Sequence, residues 1–365
     1  LRKTVIVLAF DTYFDRVTLL KNYYMEKGNA VLVISSSFSH RNKSKVHESM
    51  ADILIACREY KKNLSVNRLR NHMEFAKGAR KELETVKPDV IHCLIPCNSL
   101  AKELALYKKE YPCILYFDLI DLWPETMPIK QFKNAFPFTI WKNLRDDYLK
   151  YADKVYVECD LYKEVLKNDR YTTLYFARNE KPMNTKPVLR ENVISLAYLG
   201  SVNHIIDIDL IESFLVACSK YKKVEFHLIG DGESKQELIH RMEKQNIKFV
   251  DHGQIFDQKR KQAIFDICHY GFNVMKDSVV VGLTMKSLDY MCAGLPLINT
   301  IQGDTKKLCN QRNIGFHVTK DTVEEIAFNV CSISNEDNRM QRQNIKDVYC
   351  QYFTVESFNQ TLEGK

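Results

Sequence analysis

Several features that mark large protein classes are missing from this sequence. No apolar run approaches the ~20 residues that a helix needs to cross a bilayer. The 11 cysteines form no C-x-x-C pair and the 10 histidines form no H-x-x-x-H pair, so we expect no metal site. Scattered cysteines in odd number favour reduced thiols, and the strand-like run VIVLAF begins almost at once. We therefore expect a cytoplasmic protein without a signal peptide.

Two common nucleotide-binding fingerprints are also absent. The first predicted strand runs into VLAFDTYFD without G-x-G-x-x-G, which disfavours nicotinamide and flavin cofactors, and no P-loop motif is present. The basic residues look dispersed and no nucleic-acid module is recognisable, so we expect no nucleic-acid partner. The net charge of +7 is compatible with a phosphate-bearing ligand or an anionic membrane surface.

Short apolar runs alternate with amphipathic segments along all 365 residues, a length that allows two domains. Runs such as DVIHCLI and CILYF are almost continuously apolar, which is typical of parallel strands covered on both faces. The polar segment 179–192 contains two prolines and reads as a linker. The pattern predicts two Rossmann-like, doubly wound α/β domains, residues 1–180 and 193–340. A helical tail, residues 341–365, should pack back on the first domain.

The predicted elements follow from the same alternation. First-half strands are expected at residues 4–10, 30–35, 51–56, 89–95, 112–117, 154–158 and 172–176. Second-half strands are ISLAYLG, VEFHLIG, IKFVDHG, YGFNVM, LPLINT and GFHV. Helices are expected at 208–220, 232–245, 258–268, 285–293, 304–310 and 321–333.

The helix predicted at 285–293 carries an unusual charge at its start. Thr284 can cap it, and Gly294 can end it. Lys286 then lies at the positive end of the helix dipole, which is unfavourable unless an anion binds there. A diphosphate on the backbone N–H groups near Lys286 is one interpretation, with Asp289 accepting two ribose hydroxyls. The alternative is a simple ion pair between Lys286 and Asp289.

Parallel sheets bind ligands beyond the carboxyl ends of their strands, and glycine or polar residues stand at several of these ends. Together with the lysine they indicate an anion-binding cleft. The candidate donor-site residues are Gly200, Ser201, Asn203, His204, Gly230, Asp231, Gly232, Gly253, Gln254, Gly282, Leu283, Thr284, Met285, Lys286 and Asp289.

A family resemblance rests on six segments. AYLGSVNHIIDIDLIESF, FHLIGDGESKQELI and GLTMKSLDYMCAGLPLI resemble the nucleotide-sugar domain of retaining GT-B glycosyltransferases of the family 4-like clan. KPDVIHCLIP, FDLIDLWPE and YADKVYVECDLYKEVL resemble its acceptor domain, notably in bacterial capsule and surface-polysaccharide transferases. The resemblance implies the GT-B fold, with two domains facing a cleft, a donor site in the second domain and an acceptor site in the first.

The resemblance also implies a reaction. A hexose would pass from a nucleoside-diphosphate sugar, UDP-sugar foremost, to a glycan or lipid-linked glycan, with retention and without metal or cofactor. Asp289 matches the second of two glutamates in the clan, whereas Val281 replaces the first. Asp11, Tyr13 and Phe14 stand where the clan has a glycine-rich acceptor loop. A nucleotide-sugar epimerase and a non-catalytic sugar-nucleotide binding protein are the alternatives.

Three residues are candidates for catalysis. Lys286 would stabilise the leaving diphosphate electrostatically. Asp118 and Asp121 follow the strand CILYF and would contact the acceptor or the donor sugar, or else cap the WPE turn. Residues 130–145 interleave basic and aromatic side chains, including Phe132 and Trp141, and would lie on an anionic inner membrane face or pack as an ordinary helix.

Overall fold

The computed structural model describes residues 2–46, 49–63, 65–127, 136–180, 187 and 189–365. Two compact units divide the chain. Unit 1 comprises Leu1–Ala177 with Phe358–Lys365, and unit 2 comprises Arg178–Ser357. Each unit has its own cluster of buried apolar side chains. Half of the predicted linker, residues 181–186 and 188, lies outside the described residues.

Unit 1 is organised around a seven-stranded parallel sheet in the order β5-β2-β1-β6-β7-β8-β9. Its central strands are largely apolar; β6, for example, is buried along its whole length. The strands are β1 (Thr4–Leu8), β2 (Ala30–Ser36), β3 (Phe38–Ser39), β4 (Ser44–Lys45), β5 (Ile53–Ile55), β6 (Val90–Ile95), β7 (Ile114–Leu119), β8 (Lys154–Val157) and β9 (Thr172–Thr173). The helices are α1 (Phe14–Glu26), α2 (Val66–Val86), α3 (Asn98–Glu110), α4 (Phe136–Leu149) and α5 (Asp160–Leu166).

Unit 1 contains one element that the sequence pattern did not predict. Strands β3 and β4 form a short antiparallel hairpin, in which Phe38 pairs with Lys45 and Ser39 with Ser44. Two-residue strands are too short to show an alternation of apolar and polar side chains, so periodicity does not reveal them. The hairpin stands beside the carboxyl ends of β1 and β2.

Unit 2 repeats the plan with a six-stranded parallel sheet in the order β12-β11-β10-β13-β14-β15. Its strands are β10 (Val193–Leu199), β11 (Lys223–Ile229), β12 (Lys248–Asp251), β13 (Tyr270–Asn273), β14 (Leu297–Asn299) and β15 (Gly315–His317). Its helices are α6 (Ile208–Ser219), α7 (Lys235–Lys244), α8 (Gln258–Asp266), α9 (Met285–Ala293), α10 (Asp304–Arg312), α11 (Val323–Ser332) and α12 (Asn335–Tyr352). All six predicted strands and six predicted helices of the second half are present.

The end of the chain divides between the units, which differs from the predicted return of residues 341–365 as one piece. Helix α12 stays with unit 2, because Arg342 donates to the carbonyl of Phe265 and Gln341 accepts from the hydroxyl of Tyr270. The following helix, α13 (Val355–Glu363), enters unit 1, where the ring of Phe358 lies 5.1 Å from the guanidinium of Arg16.

Candidate functional site

The loops after β10 and β11 pack backbone against backbone, which explains two of the strand-end glycines. A Cβ atom on Gly230 would lie 2.0 Å from the carbonyl oxygen of Gly200, and one on Gly232 would lie 2.3 Å from that of Val202. Both glycines also have φ near +146°, which L side chains rarely adopt. The lack of a side chain at both positions is therefore required for the packing of these loops, while the close approach of a ligand stays a prediction.

Helix α9 is fixed firmly at the carboxyl edge of the second sheet. The Thr284 hydroxyl accepts from the Ser287 N–H, and the Ser287 hydroxyl accepts from the Thr284 N–H, which is a capping box. On the buried face, the Tyr290 hydroxyl accepts from the N–H of Leu199 at 2.7 Å. A Cβ atom on Gly271 would come within 2.8 Å of the Tyr290 ring, so only glycine allows this helix to sit so close to the sheet.

A buried ladder of polar side chains holds the cap of α9 against the neighbouring strand ends. The Thr284 hydroxyl donates to Asn273 Oδ1 at 2.7 Å, and Asn273 Nδ2 donates to Asn299 Oδ1 at 2.9 Å. Thr305 donates through its hydroxyl and its N–H to the Gly282 carbonyl at 2.7 and 3.0 Å. Sequence patterns missed Asn273, Asn299 and Thr305, although two asparagines ending adjacent apolar strands are a usable signal.

Lys286 is a half-buried cation without a countercharge. Its Nζ donates to the Tyr198 hydroxyl at 3.0 Å and lies 4.3 Å from the centre of that ring. The Tyr198 hydroxyl in turn donates a hydrogen bond to the Ser201 carbonyl at 2.8 Å. In the described parts of the chain, no carboxylate forms an ion pair with Lys286, and burial lowers the pKa of its ammonium to about 7.

The start of α9 also retains free hydrogen-bond donors. The capping box uses the N–H groups of Thr284 and Ser287, whereas those of Met285 and Lys286 have no protein acceptor within the described ranges. Two N–H groups at the positive end of a helix dipole, next to an uncompensated ammonium, form an arrangement suited to an anion. Gly200 borders it, since a Cβ atom there would lie 3.9 Å from Lys286 Cε.

Asp289 pairs with Arg178 and not with Lys286, so the alternative of an internal Lys286–Asp289 pair is wrong. Arg178 Nη2 lies 3.3 Å from Asp289 Oδ1. Both residues line a cavity of about 300 Å³ in the groove between α8 and α9. Burial raises the pKa of the Asp289 carboxyl, and the Arg178 charge opposes that rise. The carboxylate remains close enough to this cavity to accept ligand hydroxyls.

His204 pairs with Glu233 at the surface of unit 2. Its Nδ1 is 2.9 Å from Glu233 Oε1, and the two side chains are 71% and 63% exposed. The Asn203 side chain accepts from the N–H of Ile205, and the Asp231 side chain accepts from the N–H of Gly232. These predicted donor-site residues thus shape their own turns, whereas Gly200, Ser201 and the 282–286 segment lie around Lys286.

In unit 1 the prediction for Asp118 was wrong in its placement. Asp118 lies inside β7 and is fully buried, with Oδ2 3.2 Å from Arg16 Nε and 3.8 Å from His92 Nε2. A carboxylate with no exposed surface has no route to a substrate. The sequence placed it after the strand because CILYF was taken to end the strand two residues too early.

Asp121 does follow β7, and it organises the turn behind it. It accepts hydrogen bonds from the indole of Trp123 at 2.7 Å, from the Thr126 hydroxyl, and from the Tyr13 hydroxyl at 3.4 Å. Burial raises the pKa of its carboxyl, and these donors oppose that rise. This agrees with the alternative reading of Asp121 as the residue that fixes the WPE turn.

The predicted acceptor residues separate into two groups. Asp11 and Phe14 line a cavity of about 590 Å³ beside the β3–β4 hairpin, where Asp11 Oδ2 accepts from the N–H of His40. Tyr13 turns instead to Asp121. The structure therefore brings Asp11 and Phe14 together at one cavity of unit 1.

The segment 130–145 is described only from residue 136, so Phe132 lies outside the described residues. Trp141, predicted as one of its interfacial aromatics, is buried, and its ring lies 5.8 Å from that of Trp123. Phe136 is 79% exposed. Within the described ranges no helix is both long and apolar enough to cross a membrane. No three metal-binding side chains cluster there either.

The chain resembles known proteins in sequence and in fold. Residues 194–336 match the family described as glycosyl transferases group 1. No curated protein matches the chain by sequence. Because the match spans the sheet of unit 2 and helix α9, it covers the Lys286 cluster.

Solved structures resemble the whole chain at low identity. The Anabaena HepE protein in complex with UDP is 13% identical, with a TM-score of 0.69 over 99% of this chain and 98% of that one. The lipopolysaccharide outer core galactosyltransferase WaaB is 12% identical, with a TM-score of 0.68 over 99% and 98%. Sucrose-phosphate synthase from Thermosynechococcus elongatus is also 12% identical, with a TM-score of 0.68 over 100% and 98%. The shared fold is GT-B.

Proposed function

We propose that this chain is a glycosyltransferase that moves a hexose from a UDP-sugar to a glycan acceptor, because residues 194–336 match the glycosyl transferases group 1 family and the chain has the GT-B fold. The observation that carries the proposal is the start of α9. Within the described residues, the first turn of this helix carries an ammonium without an ion-pair partner and two N–H groups without an acceptor. The complexes of HepE with UDP and with UDP-glucose support the choice of nucleotide.

The proposed chemistry follows the growth of negative charge. A hydroxyl oxygen of the acceptor forms a bond to the anomeric carbon, while the bond from that carbon to the β-phosphate oxygen breaks. The hydroxyl proton passes to the departing phosphate, which leaves as part of UDP. Lys286 and the N–H groups of Met285 and Lys286 stabilise the diphosphate more strongly as its charge increases, which lowers the barrier.

Other parts of the site take supporting roles in this proposal. Asp289 accepts the ribose hydroxyls, with Arg178 holding the carboxylate 3.3 Å away. The acceptor binds in unit 1 at the cavity lined by Asp11 and Phe14. We further propose retention of the anomeric configuration, independence from metal ions, and a lipid-linked or surface-polysaccharide acceptor in the cytoplasm, as the resemblance to surface-polysaccharide transferases implies.

Binding of UDP to purified protein tests the proposal. We expect UDP at 100 times its dissociation constant to stabilise the protein by about 2.7 kcal/mol. Lys286→Met should weaken UDP binding by about tenfold to a hundredfold, because a hydrogen bond to a charged group contributes about 1.5–3 kcal/mol. Lys223→Met is the matched control, since Lys223 begins β11 at the opposite edge of the same sheet.

Equal UDP affinity in the Lys286 and Lys223 variants would show that the start of α9 is not the UDP-binding site. The alternatives are separated by product analysis with a UDP-sugar. A transferase releases UDP in step with acceptor consumption, whereas an epimerase changes the sugar with no acceptor present. A binding protein does neither.

A further inference from the structure

The positive charge of this chain is concentrated in one stretch of unit 1, contrary to the dispersed distribution expected from the sequence. Residues 40–70 contain eight lysines and arginines against three carboxylates, a balance of +5 out of the chain's +7. This stretch includes the turn and the second strand of the β3–β4 hairpin, strand β5 and the start of α2. A local excess of this size creates a positive field at one side of the first sheet's carboxyl edge.

Two of these cations converge on one asparagine. Lys43, in the turn of the hairpin, donates through Nζ to Asn63 Oδ1 at 2.6 Å. Arg68, in the first turn of α2, donates through Nη1 to the Asn63 carbonyl at 2.8 Å. Asn63 contributes oxygen dipoles and no charge, so the two positive charges stay close together without neutralisation.

Arg68 is the more unusual of the two. It is 3% exposed and its guanidinium lies 4.1 Å from the centre of the Trp123 ring. Its Nε and Nη2 atoms are buried without a hydrogen-bond acceptor, and no carboxylate within the described ranges forms an ion pair with it. Burial lowers the pKa of Arg68, which reflects the free-energy cost of keeping this charge in place.

Lys43 sits above this buried charge and is only half-buried. Its Nζ lies 4.8 Å from the centre of the Tyr60 ring and 3.2 Å from His40 Nδ1. His40 adds no charge near neutral pH, because burial lowers its pKa to about 4. Burial and the charge of Arg68 lower the pKa of Lys43, while Asp11 acts in the opposite sense. An anion would relieve the repulsion between Lys43 and Arg68.

A cavity adjoins the same hairpin and indicates the shape of the ligand. It has a volume of about 590 Å³ and is lined by Asp11, Phe14, Ser39, Asn42, Ser44 and Lys45, among others. Hydroxyl, amide and carboxylate groups beside one aromatic ring are the groups that bind sugar hydroxyls and ring faces. Lys45 has no ion-pair partner among the described residues, and it brings an exposed ammonium to this cavity.

We propose that the β3–β4 hairpin and the start of α2 form a subsite for an acidic sugar residue of the acceptor. Lys43 and Lys45 bind its carboxylate or phosphate group, and the cavity holds its hydroxyls. Arg68 acts from below the surface through its field and by holding Asn63. A concave cavity lined with hydroxyl groups favours a sugar over a flat lipid surface. The proposal rests on the proposed function, since it names the acceptor class.

Fluorescence titration tests the subsite directly, because both tryptophans of the chain lie in unit 1 and Trp123 touches Arg68. The probes are tetragalacturonate and neutral maltotetraose, in 150 mM salt and without any donor. We expect tetragalacturonate to bind at least tenfold more tightly than maltotetraose. Single-sugar titrations with galacturonate and glucose 6-phosphate then show whether the preferred acid is a carboxylate or a phosphate.

Lys43→Met and Lys45→Met should each weaken tetragalacturonate binding by about tenfold while UDP binding stays unchanged. The matched control is Lys81→Met, since Lys81 lies about 20 Å further along α2 at 1.5 Å per residue. An equal loss in the Lys81 variant, or equal affinity for maltotetraose, overturns the subsite.

Retention on phosphatidylglycerol vesicles without binding of tetragalacturonate would also overturn it, in favour of a membrane surface. UDP binding separates the two proposals. If the protein binds UDP through Lys286 but does not bind tetragalacturonate, the proposed donor site is supported and only the acidic-acceptor subsite is overturned.

Discussion

Unit 1 buries two arginines in opposite ways. Arg16 is fully buried and has Asp118 at 3.2 Å, the carbonyl of Tyr175 at 2.8 Å, and the rings of Phe176 and Phe358 beside it. Arg68 is almost as buried and also stacks on an aromatic ring, but it has one backbone carbonyl and no carboxylate. The first charge is balanced inside the protein. The second forms no ion pair among the described residues, and in our proposal it attracts a bound anion through its field.

Breaking the balanced pair should have the largest effect. Arg16→Met leaves Asp118 buried without its partner, and we expect the free energy of unfolding to fall by about 3–5 kcal/mol. Urea unfolding followed by tryptophan fluorescence measures this, because Trp123 and Trp141 both report on unit 1. The double variant Arg16→Met/Asp118→Leu should recover most of the loss. A double variant as unstable as the single one would show that packing, and not charge balance, dominates at Arg16.

Lys286 provides a third cation for the comparison, in unit 2 and without a countercharge. Its free-protein pKa of about 7 means that the ammonium is lost as pH rises, so UDP affinity should fall by about tenfold between pH 6.5 and 8.5. Calorimetric titration at several pH values measures this. Lys286→Arg should flatten the profile, since a guanidinium stays charged over this range. A profile that is unchanged in the arginine variant would assign the titration to another group.

Without ligand, the stability of the folded protein changes with pH in the opposite direction to the UDP affinity. Lys286 has a pKa below its ordinary 10.5 in the folded protein, so the unfolded chain binds the extra proton between about pH 7 and 10.5. The contribution of Lys286 to stability therefore rises with pH across that window. UDP should reduce this pH dependence, because it favours the charged ammonium.

Removing the unbalanced arginine should cost far less than removing Arg16. Arg68→Met loses the contact with Trp123 but also relieves an uncompensated buried charge, and we expect the free energy of unfolding to change by less than about 1 kcal/mol. The same urea titration applies. A loss as large as that of Arg16→Met would mean that Arg68 is a structural residue and that the contrast between the two arginines is false.

The smallest effect on stability should come from placing a negative charge beside Lys43 and Arg68. Asn63→Asp places a carboxylate where Lys43 Nζ now contacts an amide oxygen at 2.6 Å. Because Asn63 is exposed, we expect a gain in stability of at most about 1 kcal/mol, together with loss of tetragalacturonate binding. Asn63→Gln keeps the amide and is the control. Undiminished tetragalacturonate binding in Asn63→Asp would contradict the subsite.

Much of the fold was predictable because parallel sheets leave a strong pattern. Strands covered on both faces, such as β6 and β10, are nearly continuous apolar runs, and the helices between them begin and end at recognisable residues. Helix α9 spans the predicted residues with the predicted Thr284 cap. The small errors fall at strand ends, where β7 continues two residues beyond CILYF and includes Asp118.

The site was less predictable, because the deciding contacts join residues distant in sequence. A glycine after a strand looks the same whether it faces a ligand or a neighbouring loop, and only the structure showed that Gly230 and Gly232 face loops. The residues next to Arg68 in the sequence give no indication that its side chain is buried against Trp123. The run HRNKSK was a visible signal for the basic hairpin, but its short strands carry no periodicity.

The return of α13 to unit 1 has a consequence for how this chain is made. Phe358, which covers Arg16, is synthesised only after the whole of unit 2. On the ribosome, the amino-terminal half therefore lacks Phe358 until some 180 further residues have been synthesised, at a translation rate of about 5–20 residues per second. For that interval of roughly ten seconds or more, one of the two aromatic neighbours of the Arg16 guanidinium has not yet been made. A chaperone then has access to the surface that Phe358 later covers.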